Sequence, residues 1–506
     1  MLTSPRSPSS LQLSTMLRAQ LSLPPHQPPS FEVLAAADPD FRRYVHRNFN
    51  GSAHIDFADP AASRALTIAT LRRDFELEVS VPEDRLCPGV QGRLLYIRWI
   101  KRLVLSTRAV DWPEEGAPVA ALNGAGSVQH AEPVIREEEV WGLDIGSGAL
   151  PIYPLLATRE NLSWQMIATE IDELSVQSAR ANVERNGLAD HITIEHTDIR
   201  DPLFQAFKTA ETTETNSPVF AFTMCNPPFY ASAAEYQTSA AAKKLKPRSG
   251  GLHTGPGGGA STSEMVCEGG EVAFVSRMVD ESAQDENRCR CRWFTSLLGK
   301  LSSVEKIVER IRAAECSNWA VSELVNARYM SQGGQVAGEN GNPSTASRTK
   351  RWLVGWSFFA VRPPVDICRG ISSGSKIDKR LLPFPPLFEL NVPSMSMKES
   401  REKLHAVLEE IRGPGWCFGV QEEYFWCRSK VDVWSRAARR KLAKSNVEAE
   451  DGELSMADHN SHVPLAVVIQ CRCDQESVIS VEWREGVNQL VFESFYGYIK
   501  RRLISS

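Results

Sequence analysis

The spacing of apolar residues changes several times along the chain. From Phe31 to about Leu105 it is helical, most clearly in "ALTIATLRRDF" and "GRLLYIRWIKRLV". A different pattern follows. "EVWGLDIGSG" is a short apolar run entering a glycine turn, and "WQMIATEID" is a second run ending in acid. "LSVQSARANVERNG" has helical spacing and a glycine stop. "HITIEHTDI" and "VFAFTMCNPPF" read as a third and a fourth strand. Strands alternating with helices imply right-handed βαβ units and a parallel, doubly wound α/β sheet. "GGEVAFVSRMVDES" continues it as helix, "RWFTSLLGKLSSVEKIVERIR" as strand and helix, and "KRWLVGWSFFAV" as a further strand.

A second unit starts near Arg380. "LFELNVPS" predicts a strand, "MKESREKLHAVLEEIRG" a helix, and "GWCFGVQEEYFWCR" one or two strands. "VPLAVVIQCRCDQESVISVEWREG" reads as a hairpin and "VNQLVFESFYGYIKRRL" as a closing helix, which together make a small α+β domain. Around these units lie a Ser/Pro-rich tail (1–30), a helical extension (31–110) and a linker (111–136). The α/β domain spans 137–365, with mobile loops expected at 232–265 and 331–349. The C-terminal domain spans 380–506, with a charged insertion at 443–462.

At 506 residues, two domains are the natural expectation. Apolar content of 42% and charged content of 24% are ordinary for globular protein, and no apolar run is long enough to span a bilayer. A net charge of -5 argues against a wholly basic nucleic-acid binder while leaving room for a local patch. The 11 cysteines include no Cys-x-x-Cys pair, so no metal site is expected, and reduced thiols in the cytosol or nucleus are the simple reading. The N-terminus has early arginines and no acid, which fits either a transit segment or a disordered tail.

The candidate chemistry sits at the strand ends. Asp144, Gly146 and Gly148 form a glycine turn of the kind that lets backbone approach a nucleotide. Alone it fits dinucleotide enzymes, methyltransferases and plain turns. Glu170 ends the next strand, where an acid accepts ribose hydroxyls, and Asp198 ends the third, where an adenine would lie. The fourth ends in Asn226-Pro227-Pro228-Phe229. The prolines remove donors and hold Asn226 and Pro227 extended. An exocyclic amine or amide is a weak nucleophile, because its lone pair is delocalised. The Asn226 side-chain oxygen and the Pro227 carbonyl each accept one of its N–H groups and aim the lone pair at a methyl donor, and Phe229 offers a flat face. The four strand ends together match an S-adenosylmethionine-dependent methyltransferase acting on planar nitrogen. Adenine in DNA, adenine in RNA and the glutamine amide of release factors share this chemistry. Phe229, where glutamine enzymes more often have Tyr, tilts toward a base. Lys243, Lys244, Lys246 and Arg248 form a basic cluster after the motif, and Arg42, Arg43 and Arg47, or Arg288, Arg290 and Arg292, could extend a phosphate track.

Ordered blocks from about Asp38 to Ala360 carry a resemblance. They include "PDFRRYVHRNFNG", "DPAASRALTIATLRRDF", "VPEDRLCPGVQGRLLYIRWI", "LDIGSGALPIYPLL", "ATEIDELSVQSARANVERNGL", "CNPPFY", "EGGEVAFVSRMV" and "RWFTSLLGK". Through them the chain resembles the RNA adenine-N6 methyltransferases of the methyltransferase-like protein 16 family, and more distantly the bacterial ribosomal-RNA adenine-N6 methyltransferase F group. The resemblance implies a Rossmann-like class I methyltransferase domain, S-adenosyl-L-methionine as cofactor, and a structured RNA such as U6 small nuclear RNA as partner. It also implies a monomer working in the nucleus, and the cysteine usage fits nucleus and cytoplasm alike. Arg93 resembles the arginine that meets the cofactor carboxylate, Gly146 the loop glycine, Glu170 the ribose acid, Asn226 to Phe229 the catalytic motif, and Asn50 a position near bound RNA. The chain departs from the family at Leu150, which offers no side-chain hydrogen bond. Its C-terminal unit is similar to an accessory RNA-binding domain. The rival readings are release-factor glutamine methylation and a non-enzymatic RNA-binding protein.

Overall fold

The computed structural model describes residues 29–49, 51–107, 140–161, 163–209, 219–235, 237–238, 266–325, 350–372, 374–393, 395–413, 415–421, 424–440, 465–473 and 477–504. The linker 111–136, the segment 331–349, the insertion 443–462, and nearly all of the tail and of 232–265 lie outside these, as do Asn50, Lys243, Lys244, Lys246 and Arg248.

The main sheet has seven strands: β1 (Val140–Ile145), β2 (Trp164–Glu170), β3 (Ile192–His196), β4 (Phe220–Cys225), β5 (Cys291–Leu298), β6 (Asn318–Val325) and β7 (Lys350–Ser357). Their order is β3-β2-β1-β4-β5-β7-β6. Strands β1 to β5 pair in parallel, and β7 runs antiparallel to both β5 and β6. All six residues of β4 are buried, as a strand covered on both faces requires. From β1 the chain winds outward to β2 and β3, then crosses back to β4. That reversal leaves a crevice beyond the carboxyl ends of β1 and β4, where α/β sheets bind ligands.

Helices α1 (Pro60–Phe75), α2 (Val90–Ser106), α3 (Ile152–Glu160) and α4 (Glu173–Arg185) share one core with the sheet; Tyr96, Ile97, Leu155 and Val176 meet Met166, Phe222 and Trp293 there. Helices α5 (Gly270–Ser282) and α6 (Leu301–Ala313) build the other core, in which Val275 and Ile307 meet Leu143, Phe220 and Phe294. The segment expected as an N-terminal extension is therefore in part a layer of the domain. From α2, Tyr96 Oη lies 2.7 Å from Thr295 Oγ1 on β5, and Trp99 Nε1 donates to Ser322 Oγ on β6 at 3.0 Å. The apolar spacing of α2 showed a helix; only the long-range bonds show where it packs. Strand β6 has no counterpart among the sequence expectations, because Ser322 and Glu323 interrupt its apolar pattern. Ser322 is buried against Trp99, and Glu323 pairs with Lys350.

In the C-terminal unit, strands β8 (Leu387–Asn391), β9 (Trp416–Val420), β10 (Tyr424–Ser429), β11 (Leu465–Cys473) and β12 (Ser477–Glu485) form an antiparallel sheet of order β8-β12-β11-β10-β9. Helices α7 (Met397–Glu409) and α8 (Gln489–Ile504) pack into one core with it. Ser396 and Glu399 close a capping box at the start of α7. Arg362 ties this unit to the first. It is buried, donates to Gly486 O at 2.8 Å and Ser317 O at 3.2 Å, and lies 3.7 Å from the Trp483 ring centroid. Among the described residues no helix is long and apolar enough to cross a membrane.

Gly142 in β1 is closely packed from both neighbouring strands. A Cβ there would stand 2.4 Å from Phe222 Cζ and 2.7 Å from Met166 Sδ. Gly142→Ala should therefore lose about 1–3 kcal/mol of stability through overpacking, read as a lower urea midpoint at unchanged slope. An unchanged midpoint would mean that the Phe222 ring moves aside at no cost.

Candidate active site

The turn after β1 is tied to the end of β2. Gly146 N and Ser147 N donate to Thr169 O at 2.9 and 3.0 Å. The buried Glu170 accepts from Gly148 N through Oε2 at 2.8 Å, and from Ile171 N and Asp172 N through Oε1 at 2.8 and 3.0 Å. Gly146 and Gly148 have φ of 77° and 68°, in the left-handed region that favours glycine. Nothing lies within 4 Å of where a Gly146 Cβ would stand, so the backbone face is open there. Three of about four acceptor positions on Glu170 are thus committed to main chain, leaving one for a ligand hydroxyl. The acid expected to bind ribose also builds the turn.

Asp144, near the end of β1, is 1% exposed, and neither carboxylate oxygen has a hydrogen-bond partner. Burial, with the Glu170 charge added, pushes its carboxyl up to about 8. Buried polar groups without partners are rare, and each costs about 1–3 kcal/mol. Two more such atoms belong to predicted site residues: Arg93 Nε and Asn226 Oδ1. The β1–β4 register pairs Ile145 with Cys225, so Asn226 leaves β4 beside the start of the glycine turn. Arg93 lies against Tyr153, whose phenol is pushed up by burial and pulled back by that charge. An unpaired acid, an arginine and a turn with open backbone fit the zwitterionic amino-acid end and ribose of the expected cofactor: Asp144 faces the need for a cation, Arg93 for a carboxylate, and Glu170 for a hydroxyl.

Pro227, Pro228 and Phe229 continue from β4 outside any ladder. Phe229 packs with Leu86, Tyr230 and Val266. The Arg351 guanidinium carbon lies 5.3 Å from its ring centroid. Arg351 was missed in the sequence, where it is one charge at the start of an apolar strand and only the antiparallel insertion of β7 brings it to the motif.

Other predicted residues stand elsewhere. Asp198 is exposed and held below the usual carboxylate range by Arg200, whose Nε donates to it at 2.9 Å, so it does not join the buried cluster. Arg42 donates to Ala35 O and Ala36 O at a helix end, Arg43 pairs with Asp40, and Arg47 donates to Gly51 O. All three are exposed but engaged locally, a use that net charge does not reveal.

The raised Asp144 has a consequence for stability. An unfolded Asp titrates near 3.9, so between that value and about 8 the folded chain holds a proton that the unfolded chain lacks. Stability from this group is full below the unfolded value and falls as pH rises, by up to about 1.4 kcal/mol per pH unit. Asp144→Asn should flatten this decline between about pH 5 and pH 8 in ligand-free protein. Parallel melting-temperature profiles for the two proteins would contradict the assignment.

This arrangement has relatives. The family described as RNA methyltransferase matches residues 25–125 and 124–335. The Schizosaccharomyces pombe protein named U6 small nuclear RNA (adenine-(43)-N(6))-methyltransferase is 30% identical over 457 residues, covering 89% of this chain and 96% of that protein. The Mus musculus RNA N(6)-adenosine-methyltransferase METTL16 is 32% identical over 333 residues, 66% of this chain and 50% of that protein. The chain thus spans about half the length of the mammalian relatives that it matches. Among solved structures, the crystal structure of the hMettl16 catalytic domain in complex with MAT2A 3'UTR hairpin 1 is similar at 30% identity and a TM-score of 0.47, covering 66% of this chain and 92% of that one. With its motif-bearing strand ends inside a match that takes in more than half of its length, the chain belongs to this family of RNA methyltransferases.

Proposed function

We propose that the protein transfers a methyl group from S-adenosylmethionine to the exocyclic N6 of an adenosine in structured RNA, with U6 small nuclear RNA or a messenger-RNA hairpin as the substrate class. The observation that carries this reading is the buried Asn226 Oδ1, without a partner, at the β4 end beside the Glu170-held turn. The names of the fungal and mammalian relatives support the adenine and the RNA. Unpaired bases in RNA hairpins flip at low cost, which suits a target presented in a loop.

Bound S-adenosylmethionine supplies an electrophilic methyl group. The chain's own residues supply position and dipoles. Asn226 Oδ1 and the Pro227 carbonyl accept the two N6 hydrogens, which draws the nitrogen out of conjugation and directs its lone pair. Phe229 supports the base plane, and Arg351 places a cation over the same ring. The proton released at N6 leaves to solvent after transfer, and no side chain near Asn226 is required as base. Lys243, Lys244, Lys246 and Arg248, directly after the motif, provide phosphate contacts in this reading.

The test is labelled cofactor offered with a stem-loop RNA or with a release factor. Label recovered as N6-methyladenosine supports the proposal; label in the release factor alone, or in neither, contradicts it. In the same assay, Asn226→Ala should keep cofactor affinity and lose about 10²–10³ in rate, since it removes one acceptor aligned in the transition state. Near-normal turnover by the folded variant would remove Asn226 from the mechanism.

A further inference from the structure

Glu271 is the second residue of α5 and is 3% exposed; the proposed mechanism does not use it, and among the described residues no salt bridge pairs it with a cation, although the Arg351 charge is felt nearby. Its Oε2 accepts from Gly299 N at 2.7 Å, and its Oε1 accepts from Lys300 N at 3.1 Å and Ser303 Oγ at 2.6 Å. Gly299 and Lys300 form the turn between β5 and α6, and Ser303 is the third residue of that helix. Lys300, the N-cap of α6, makes no side-chain cap bond; the carboxylate from α5 accepts instead from the N-cap residue's own N–H and from the Ser303 hydroxyl in the first turn of the helix.

The turn held in this way touches the motif. A Cβ on Gly299 would stand 3.1 Å from Glu271 Oε2, and 3.1 and 3.3 Å from Phe229 Cδ1 and Cε1. Gly299 thus fits between the carboxylate and the Phe229 ring. On the same side, a Cβ on Gly270 would meet Ala231 N, Tyr230 C and Phe229 O at 3.4 to 3.6 Å, so the start of α5 lies along the main chain just after the prolines. Lys300 Nζ pairs with Glu235 at 3.4 Å, and Glu235 accepts from Ala231 N at 2.8 Å, which closes the grip on the residues after Phe229.

We infer that Glu271 is a positioning residue for methyl transfer: by holding Gly299 and Lys300 it sets the orientation of Phe229, and with it the plane on which the target base stacks. This inference rests on the proposed methylation of RNA adenine. A carboxylate is suited to the task because both of its oxygens are acceptors facing backbone N–H groups. A glutamine keeps the shape but turns a donor toward one of them.

The test uses the full chain with Glu271→Gln, Phe229→Leu and the double variant. Glu271→Gln should keep its affinity for S-adenosylhomocysteine and lose roughly ten- to hundredfold in kcat, the scale of a misplaced reactant. A stem-loop RNA with 2-aminopurine at the target position reads stacking without turnover. Its quenching on binding should be reduced by Glu271→Gln and by Phe229→Leu, with no further loss in the double variant. Quenching and kcat unchanged in Glu271→Gln, or equal losses from Glu271→Gln in the wild-type and Phe229→Leu backgrounds, would overturn the inference. If Glu271→Gln does not fold, Gly299→Ala probes the contact from the other side, since its new methyl must displace the ring or the carboxylate; wild-type quenching in that variant would likewise overturn it. A wild-type protein that methylates release factor and no RNA would defeat the parent reading, and this inference with it, whereas an active wild type with an indifferent Glu271→Gln defeats this inference alone.

Discussion

The site depends on one carboxylate at the end of one strand. Glu170 accepts a hydrogen bond from Gly148 across the β1–β2 boundary and two more from its own following backbone. Charge-assisted bonds of this kind are among the stronger ones in a protein. They hold a turn whose two glycines have left-handed conformations, and they fix where its open backbone face points. They also place a second charge near Asp144, which burial already disfavours as an anion. The free protein therefore carries an acid without a partner beside an acid with several.

The parallel sheet turns this local strain into a site. Because β1 pairs directly with β4, the glycine turn and Asn226 leave the sheet side by side. Asp144 on one strand and Asn226 just past the end of its neighbour both retain buried oxygen atoms without partners. Such atoms persist in a folded chain when the surrounding packing is strong enough to carry them. Here two extensive apolar cores, one on each face of the sheet, do so. Stability made by the layers is spent at the strand ends, where two ligands have to meet.

Much of this was legible in the sequence. The alternation of "EVWGLDIGSG", "WQMIATEID" and "VFAFTMCNPPF" with helical segments implied the parallel core, and each strand ended where its motif residue stood. The C-terminal strands and helices were readable for the same reason, since their apolar periods are uninterrupted. Less legible was anything that depends on non-local packing. Strand β6 hides its period behind Ser322 and Glu323, whose partners come from α2 and β7. Arg351 and Glu271 reach Phe229 only through the insertion of β7 and the crossing of α5 over the β5–α6 turn. Asp198 followed the pattern of strand-end acids, but Arg200 two residues later provides a local partner and holds it at the surface.

Calorimetric titration with S-adenosylhomocysteine reads whether a cofactor site is preformed around Glu170. Wild-type protein should bind one equivalent, and Glu170→Ala should bind at least about tenfold more weakly, since loss of a charged hydrogen bond costs about 1.5–3 kcal/mol. Equal affinities in wild type and a folded Glu170→Ala would show that this carboxylate does not shape the cofactor site.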